Sequence, residues 1–184
     1  MRSFKGLVSI LILISVFALV GCAATVPCWI DKGGACFSGD KKAFYGVASS
    51  SGIKDPSLKR TSADDNAINS VAKIFQVYTA SLMKEYRSSI GKADTSEEIR
   101  NVEEGIKTVT SATLSGVQIV DHWEKPKTDE LFALARLDLN LFKDNVENLK
   151  TLNDKAKTYI KENSDRMFNE LDKEVKKAEE KGKL

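Results

Sequence analysis

Apolar residues recur every three or four positions through the middle of the chain. From Ala67 to Tyr86 this spacing places one wide apolar stripe along a helix that runs to about Ile90. Asp55-Pro56-Ser57 gives a turn and a helix start, and residues 61–65 hold two overlapping capping-box patterns, Ser or Thr with Asp three positions later. We therefore predict a long amphipathic helix with one buried flank.

A second helix is predicted to begin at Thr95, with Glu98 three residues later. Gly105 lies inside it and weakens the prediction, since glycine costs about 1 kcal/mol relative to alanine in a helix. The residues at helical spacing that support it are Ile99, Val102, Ile106 and Val109.

The apolar period shortens to two in three brief runs, 43–49, 117–123 and 131–137. In the second run Val117, Ile119 and Trp123 are predicted to share one strand face. A turn at 125–129 separates the second and third runs, so the pair is predicted to form an antiparallel hairpin.

From Asn140 onward the pattern is helical again, and an unbroken helix to about residue 180 would be about 60 Å long. Its residues 146–184 are highly charged. Two interpretations stay open: a solvated helix folded partly onto the domain, or a partner-binding coiled coil. An approximate a/d seam supports the second, and Asn163 interrupts it; the seam is Leu149, Leu152, Ala156 and Tyr159.

Together the elements predict an α+β fold. A small antiparallel sheet of about three strands packs against a long amphipathic helix, and an extended C-terminal helix follows.

The N-terminal pattern is different in kind. Arg2 and Lys5 precede an apolar run from Leu7 to Val20, which is 14 residues long, whereas a transmembrane helix needs about 20. The run ends in Leu19-Val20-Gly21-Cys22, which resembles a lipobox. We interpret residues 1–21 as a lipoprotein signal peptide; an uncleaved signal anchor, or a plain signal peptide with an incidental cysteine, is the alternative.

Cys22 is the predicted lipidation site and would carry a diacylglyceryl group and an N-acyl chain. One acyl chain gives only marginal membrane attachment, so two or three chains on one residue are needed for a stable anchor. The membrane lipid is thus the first expected partner. Ala23 follows the anchor, which favours the outer membrane over the inner membrane of the cell envelope.

Charge alters the picture once the signal peptide is removed. The whole chain has 28 basic and 26 acidic residues, and losing Arg2 and Lys5 leaves the two kinds equal. This balance argues against a nucleic-acid partner. The remaining 163 of 184 residues suffice for one domain with a core.

Cys28 and Cys36 lie eight positions apart in residues 22–42, a segment interpreted as a lipidated tether with a Cys loop. Outside the cytoplasm such a pair favours a disulfide over free thiols. A zinc site would need two further ligands, and the chain has one histidine, His122.

Catalytic patterns are sparse. His122 is the one possible histidine base, and on a strand it points away from its neighbours Asp121 and Trp123. Asp64-Asp65-Asn66 offers side-chain oxygens but lacks the spacing of a calcium loop. No metal or other cofactor is expected. A possible ligand groove is placed at His122 and Trp123, between the long helix and the hairpin.

Several short pieces occur in a recognisable order: Trp29, Phe44-Tyr45-Gly46-Val47-Ala48, Val120-Asp121-His122-Trp123, and Leu131 to Leu137. They resemble the lipoprotein-20 family of bacterial surface and outer-membrane lipoproteins. The resemblance covers residues 22 to about 145. It implies a small α/β domain, placed here at residues 43–145, with antiparallel strands backed by a long helix, and it implies no catalytic residues.

The resulting expectation is a lipid-anchored envelope lipoprotein that is not an enzyme. Its role would be structural or one of protein interaction, with an envelope protein partner or self-association through the C-terminal helix. The alternative is an envelope-tethered binding module for a small ligand or glycan.

Overall fold

A computed structural model of the chain describes residues 25–37, 39–40, 42–90 and 96–180. Cys22 and the predicted signal peptide lie outside the described residues, as do Gly91 and Thr95. The described part has the predicted α+β fold. Its elements are α1 (Cys28–Lys32), a 3₁₀ turn (Gly33–Phe37), β1 (Ala43–Ser50), α2 (Pro56–Ser89), α3 (Ser96–Leu114), β2 (Gln118–Glu124), β3 (Leu131–Asp138), α4 (Leu139–Asn148) and α5 (Asp154–Glu180).

The three strands form one antiparallel sheet in the order β1-β3-β2, so β3 is central. Phe44 pairs with Leu137 and Val47 with Leu134 along β1, and Trp123 pairs with Phe132 in the β2-β3 hairpin. The predicted hairpin is therefore confirmed, and β1 pairs with the other edge of β3.

One face of the sheet, which we call the helix face, packs directly on α2. Small residues make this possible: Ala63 and Ala67 on α2 are fully buried, as are Ala133 and Ala135 on β3. At Gly46 the backbones approach so closely that a Cβ atom would lie 2.6 Å from the Val71 amide nitrogen and 2.7 Å from the Ala67 carbonyl oxygen. Only glycine fits there.

The long helix begins at Pro56, as the Asp55-Pro56-Ser57 turn predicts, and not at the capping-box patterns of residues 61–65. The Asp55 carboxylate accepts a hydrogen bond from the Leu58 amide, and Pro56 occupies the first turn. Residues 61–65 therefore lie inside the helix, and the predicted capping boxes there are wrong. The reason is local: Asp55-Pro56 caps the helix six residues upstream, and the stretch between has no helix breaker.

Beyond the sheet, α2 continues into a layer of helices, where it contacts α3 and α5. An aromatic cluster joins the two parts of the fold. The Phe44 ring centroid is 5.4 Å from that of Phe75, 5.1 Å from that of Tyr78 and 4.9 Å from that of Phe168. Edge-on contacts at these distances stabilise a core beyond simple burial.

In α3 the predicted stripe is buried, with Val102, Ile106 and Val109 in the core. Close packing explains why a glycine occurs at position 105 inside this helix. A Cβ atom there would lie 2.6 Å from Leu152 Cδ2, in the turn between α4 and α5. The helix tolerates the glycine because it lets that turn approach.

The C-terminal helical region is not continuous. It breaks between Asn148 and Asp154, and the Asn153 side chain accepts a hydrogen bond from the Ala156 amide to start α5. The predicted unbroken helix from Asn140 is therefore wrong. The break places Leu149 and Leu152 against Gly105 of α3, which brings α5 back onto the domain.

Strand β2 contains an irregularity at Val120. Ile119 pairs with Ala135, whereas Asp121 already pairs with Leu134, so Val120 is an extra residue. Ile119 therefore shares the helix face with His122 and not with Trp123. The predicted common face of Val117, Ile119 and Trp123 is wrong, because a bulge reverses the alternation that the prediction assumed.

Within the described ranges, no helix combines the length and the apolar character needed to cross a membrane.

Candidate functional site

The Cys loop, residues 28–36, is closed by a disulfide between Cys28 and Cys36, whose Cα atoms are 5.7 Å apart. The predicted bond is therefore present. The loop covers the second face of the sheet, which we call the outer face. At its end the Phe37 ring stacks on Tyr45 of β1, with centroids 4.1 Å apart.

Trp29 fixes the loop to the sheet. Its side chain is 4% exposed, and its indole N–H donates a hydrogen bond of 3.0 Å to the Asp121 carboxylate on β2. Asp121 pairs in register with Leu134, which is buried on the same outer face. Neither Trp29 nor Leu134 belongs to the main core cluster, so the loop and the outer face form a small second core.

Beside this second core lies a polar network of Asp40, Tyr45 and Arg136. The Tyr45 hydroxyl donates to Asp40 at 2.8 Å, and Arg136 donates to Asp40 at 3.2 Å. Burial favours the neutral carboxyl of Asp40, but the hydrogen bonds from Tyr45 and Arg136 outweigh it and lower the pKa of Asp40 below 3.8. Burial and the bond to Asp40 together raise the pKa of Tyr45.

His122 lies on the helix face of β2 and contacts α2. An Arg60 guanidinium nitrogen is 3.2 Å from Nδ1, and an Asp64 carboxylate oxygen is 2.5 Å from Nε2. Arginine has no acceptor, so Nδ1 must accept the bond from Arg60. The imidazole proton is then on Nε2, which donates it to Asp64.

Both ring nitrogens of His122 are thus occupied by residues 58 and 62 positions away. The contacts join the edge strand to the first turns of α2, and Lys59 does the same by pairing with Asp129 at 2.6 Å in the hairpin turn. These hydrogen bonds and the Lys59–Asp129 ion pair hold the hairpin on α2. A histidine that bridges two elements in this way has a sufficient structural reason to be there.

A shallow cavity of about 530 Å³ lies beside the histidine. Its lining residues are Arg60, Asp64, Ile119, Val120, Asp121 and His122. A His-Asp pair can move a proton, but this lining supplies no hydroxyl or thiol for it to activate. Cys28 and Cys36 are committed to the disulfide.

Trp123 lies on the other side of the strand. It contacts its cross-strand neighbour Phe132, with ring centroids 5.8 Å apart. The structure therefore places the two residues predicted to line one groove, His122 and Trp123, on opposite faces of β2.

The sequence alone did not reveal Asp64 and Arg60 as partners of His122, or Asp121 as the partner of Trp29. Arg60 and Asp64 are four residues apart, which puts them on one helix face. That spacing is the only local signal, and it does not point to a strand 58 residues downstream. Among the described residues no group of three or more His, Cys, Asp or Glu side chains could hold a metal ion.

The fold and the docked loop define a small α+β domain with a three-stranded sheet, covered on one face by a long helix and on the other by a disulfide-closed loop. A search of the curated proteins returns no significant match. The model of the LPP20 lipoprotein family matches residues 27–138, from the start of the Cys loop to the end of β3. The chain belongs to the LPP20 lipoprotein family.

Proposed function

We propose that the chain is processed before Cys22 and anchored to the cell envelope by a diacylglyceryl group and an N-acyl chain on that residue. The family membership and the sequence Leu19-Val20-Gly21-Cys22 support this proposal. Ala23 favours the outer membrane as the destination.

The docked Cys loop is the observation that carries the proposal furthest. Cys28 is six positions after Cys22, and six residues span at most about 20 Å. The folded part begins at once, because the disulfide and Trp29 fix residues 28–36 to the outer face. An anchor at Cys22 therefore holds the domain close to the membrane surface.

The molecular role we propose is non-enzymatic: a structural or protein-interaction module whose C-terminal helix contacts another envelope protein or a second copy. The first part of α5 is fixed in the core through Ile160, Met167 and Phe168. Leu171 is the last described residue that packs against this core, and the helix continues to Glu180, about 13 Å further. The end of α5 beyond Leu171 is the surface we assign to a partner.

The anchor is tested with Cys22→Ser. We expect loss of labelling by a fatty-acid analogue and release of the protein from membranes, because the thiol is the attachment atom. The matched control is Cys28→Ser with Cys36→Ser, which removes the disulfide and keeps Cys22. Persistent labelling of the Cys22→Ser chain would contradict the proposal.

The partner surface is tested by truncation after Leu171, because an earlier end removes core residues of α5. We expect crosslinks formed by the lipidated protein in intact cells to be lost, with an unchanged melting temperature. Glu85→Gln is the control, since it breaks the ion pair between Arg166 on α5 and Glu85 on α2 but leaves the end of α5 beyond Leu171 intact. Crosslinks that survive truncation would exclude this end of α5 as the contact.

A binding module for a small ligand or glycan is the second candidate function, favoured by the cavity beside His122. A titration of glycan fragments followed through the His122 ring resonances tests it, because the chain has a single histidine. A ligand bound there must displace Arg60 or Asp64 and shift those resonances; no shift up to millimolar concentrations excludes the site.

A further inference from the structure

A groove runs along the surface between α2 and α3. It has a volume of about 550 Å³. The two helices run in opposite directions beside it, and from Gln76 to Arg87 it is about 16 Å long. Helix contacts of this kind normally close, so a groove of this size leaves room for a ligand.

The floor of the groove is apolar. Met83 and Ile106 are buried in it, and Ala80 lies at its edge. Two threonines also line it, but their hydroxyls are already bonded within their own helices: Thr79 to the Gln76 carbonyl, and Thr110 to the Ile106 carbonyl. The floor therefore offers a ligand hydrocarbon contact and few hydrogen-bonding groups.

The rim is cationic. Lys84 on α2 and Lys107 on α3 line the groove from opposite helices, each one helical turn from the residues Arg87 and Glu103. Arg87 pairs with Glu103. Neither lysine forms an ion pair with the described residues, so the rim keeps two uncompensated positive charges above an apolar channel.

We propose that this groove binds a long-chain fatty acid. The carboxylate lies between Lys84 and Lys107, and the alkyl chain extends along Ala80 and Met83 toward Leu114. An extended peptide fits the same channel poorly, because the floor leaves its backbone N–H and C=O groups without partners. A third helix needs an axis separation of about 8–10 Å from both walls and fits a channel this shallow less well than a single alkyl chain.

The test uses the full chain with Cys22→Ser and methyl-¹³C methionine. The chain has three methionines, Met1, Met83 and Met167. Met83 lies in the groove, whereas Met167 lies in the core on α5. Dodecanoate, added below its micelle concentration, is expected to shift the Met83 methyl resonance saturably and leave that of Met167 in place. An unchanged Met83 resonance, or equal shifts of both, would overturn the proposal.

Two phenylalanine variants separate the groove from the rest of α2. Ala80→Phe fills the channel from its exposed edge and is expected to abolish binding with little change in melting temperature. Val77→Phe is the matched control, because Val77 is 57% exposed on the same helix and does not line the groove. Wild-type affinity in Ala80→Phe would place the ligand elsewhere and contradict the proposal.

The head group is tested by comparing dodecanoate with dodecanol, which has the same chain and no charge. Lys84→Gln with Lys107→Gln is expected to weaken dodecanoate binding about two- to thirtyfold, the range for two exposed ion pairs, and to leave dodecanol unchanged. The control pair, Lys54→Gln with Lys150→Gln, has the same loss of charge away from the groove and should alter neither. A different result would assign the groove to a protein partner: dodecanoate binds neither the wild-type chain nor any variant, and Ala80→Phe removes crosslinks to an envelope protein. In that case the fatty-acid assignment fails.

Discussion

The two faces of the sheet solve the same problem in different ways. The helix face is covered by the N-terminal part of the 34-residue α2 and depends on close contact between small side chains. The outer face is covered by the nine residues of the Cys loop, which are fixed by a disulfide and one indole hydrogen bond. A short segment buries too little apolar area to stay in place by itself. The Cys loop therefore needs a covalent bond and a hydrogen bond to stay on the sheet. The helix face is held by close packing of side chains.

The largest expected effect is on the helix face. Gly46→Ala forces the α2 backbone away from β1, because the added carbon meets main-chain atoms of Val71 and Ala67 that have no alternative position. We expect a loss of about 3 kcal/mol in unfolding free energy, the upper part of the range for overpacking. Urea unfolding followed by circular dichroism measures it. Val47→Ala, on the outer face of the same strand, is the control and should cost about 1 kcal/mol; equal losses would remove the distinction between the faces.

The next effect is on the outer face. Cys28→Ser with Cys36→Ser opens a loop of eight positions, and the chain-entropy relation gives a loss of about 2.5 kcal/mol. In this double variant, amide exchange should accelerate along the Cys loop and β1 while α2 stays protected, in contrast to the Gly46→Ala variant. The opposite pattern, with α2 exposed first, would mean that the loop supports the main core.

Trp29→Phe isolates the hydrogen bond within the cover. The ring stays buried but the donor to Asp121 is lost, and we expect about 1 kcal/mol of destabilisation. Trp123→Phe is the matched control, since the Trp123 N–H makes no hydrogen bond to the described residues. A loss for Trp123→Phe as large as that for Trp29→Phe would assign the effect to ring size and not to the bond.

The smallest effect depends on pH. Because the pKa of Asp40 is lowered in the folded state, the carboxylate stabilises the fold above pH 3.8, and this contribution is lost as the pH falls through the lower folded value. Asp40→Asn should lower the melting temperature slightly at pH 7, and the difference from wild type should vanish as the pH falls below the lowered pKa of Asp40. A difference that grows with acid would reverse the assigned sign.

Period and local chemistry were enough to predict the three strands, the stripe of α2 and the Cys28–Cys36 disulfide. The sequence pattern gave wrong predictions where a single residue interrupts the period of a strand or a helix. Val120 adds a residue to β2, and Asn153 starts a new helix where the apolar spacing continues without a gap. Val120 gives no signal because it is an ordinary strand residue. Asn153 is of a residue type that often caps helices, but the apolar spacing that continues across it hides the break.

The candidate site was harder to predict because its contacts are long-range. Alternation correctly separated His122 from Asp121 and Trp123, but Asp64 and Arg60 reach His122 only through the packing of α2 on the sheet. Likewise Trp29 and its hydrogen-bond partner Asp121 are 92 positions apart. Pairing at such distance depends on the register and on the bulge, which a single sequence does not specify.

The Cys loop also determines how the domain responds to force. A pull on the chain from its N-terminal side enters the fold at Cys28, and the disulfide passes the tension directly to Cys36. The segment between the two cysteines cannot unravel, so the stretched chain is shorter by about 27 Å, at about 3.4 Å for each of eight positions. Tension therefore reaches the β1 edge of the sheet while Trp29 stays in place. In a reducing solution the same pull should peel the loop off first, giving an extra early step in single-molecule stretching.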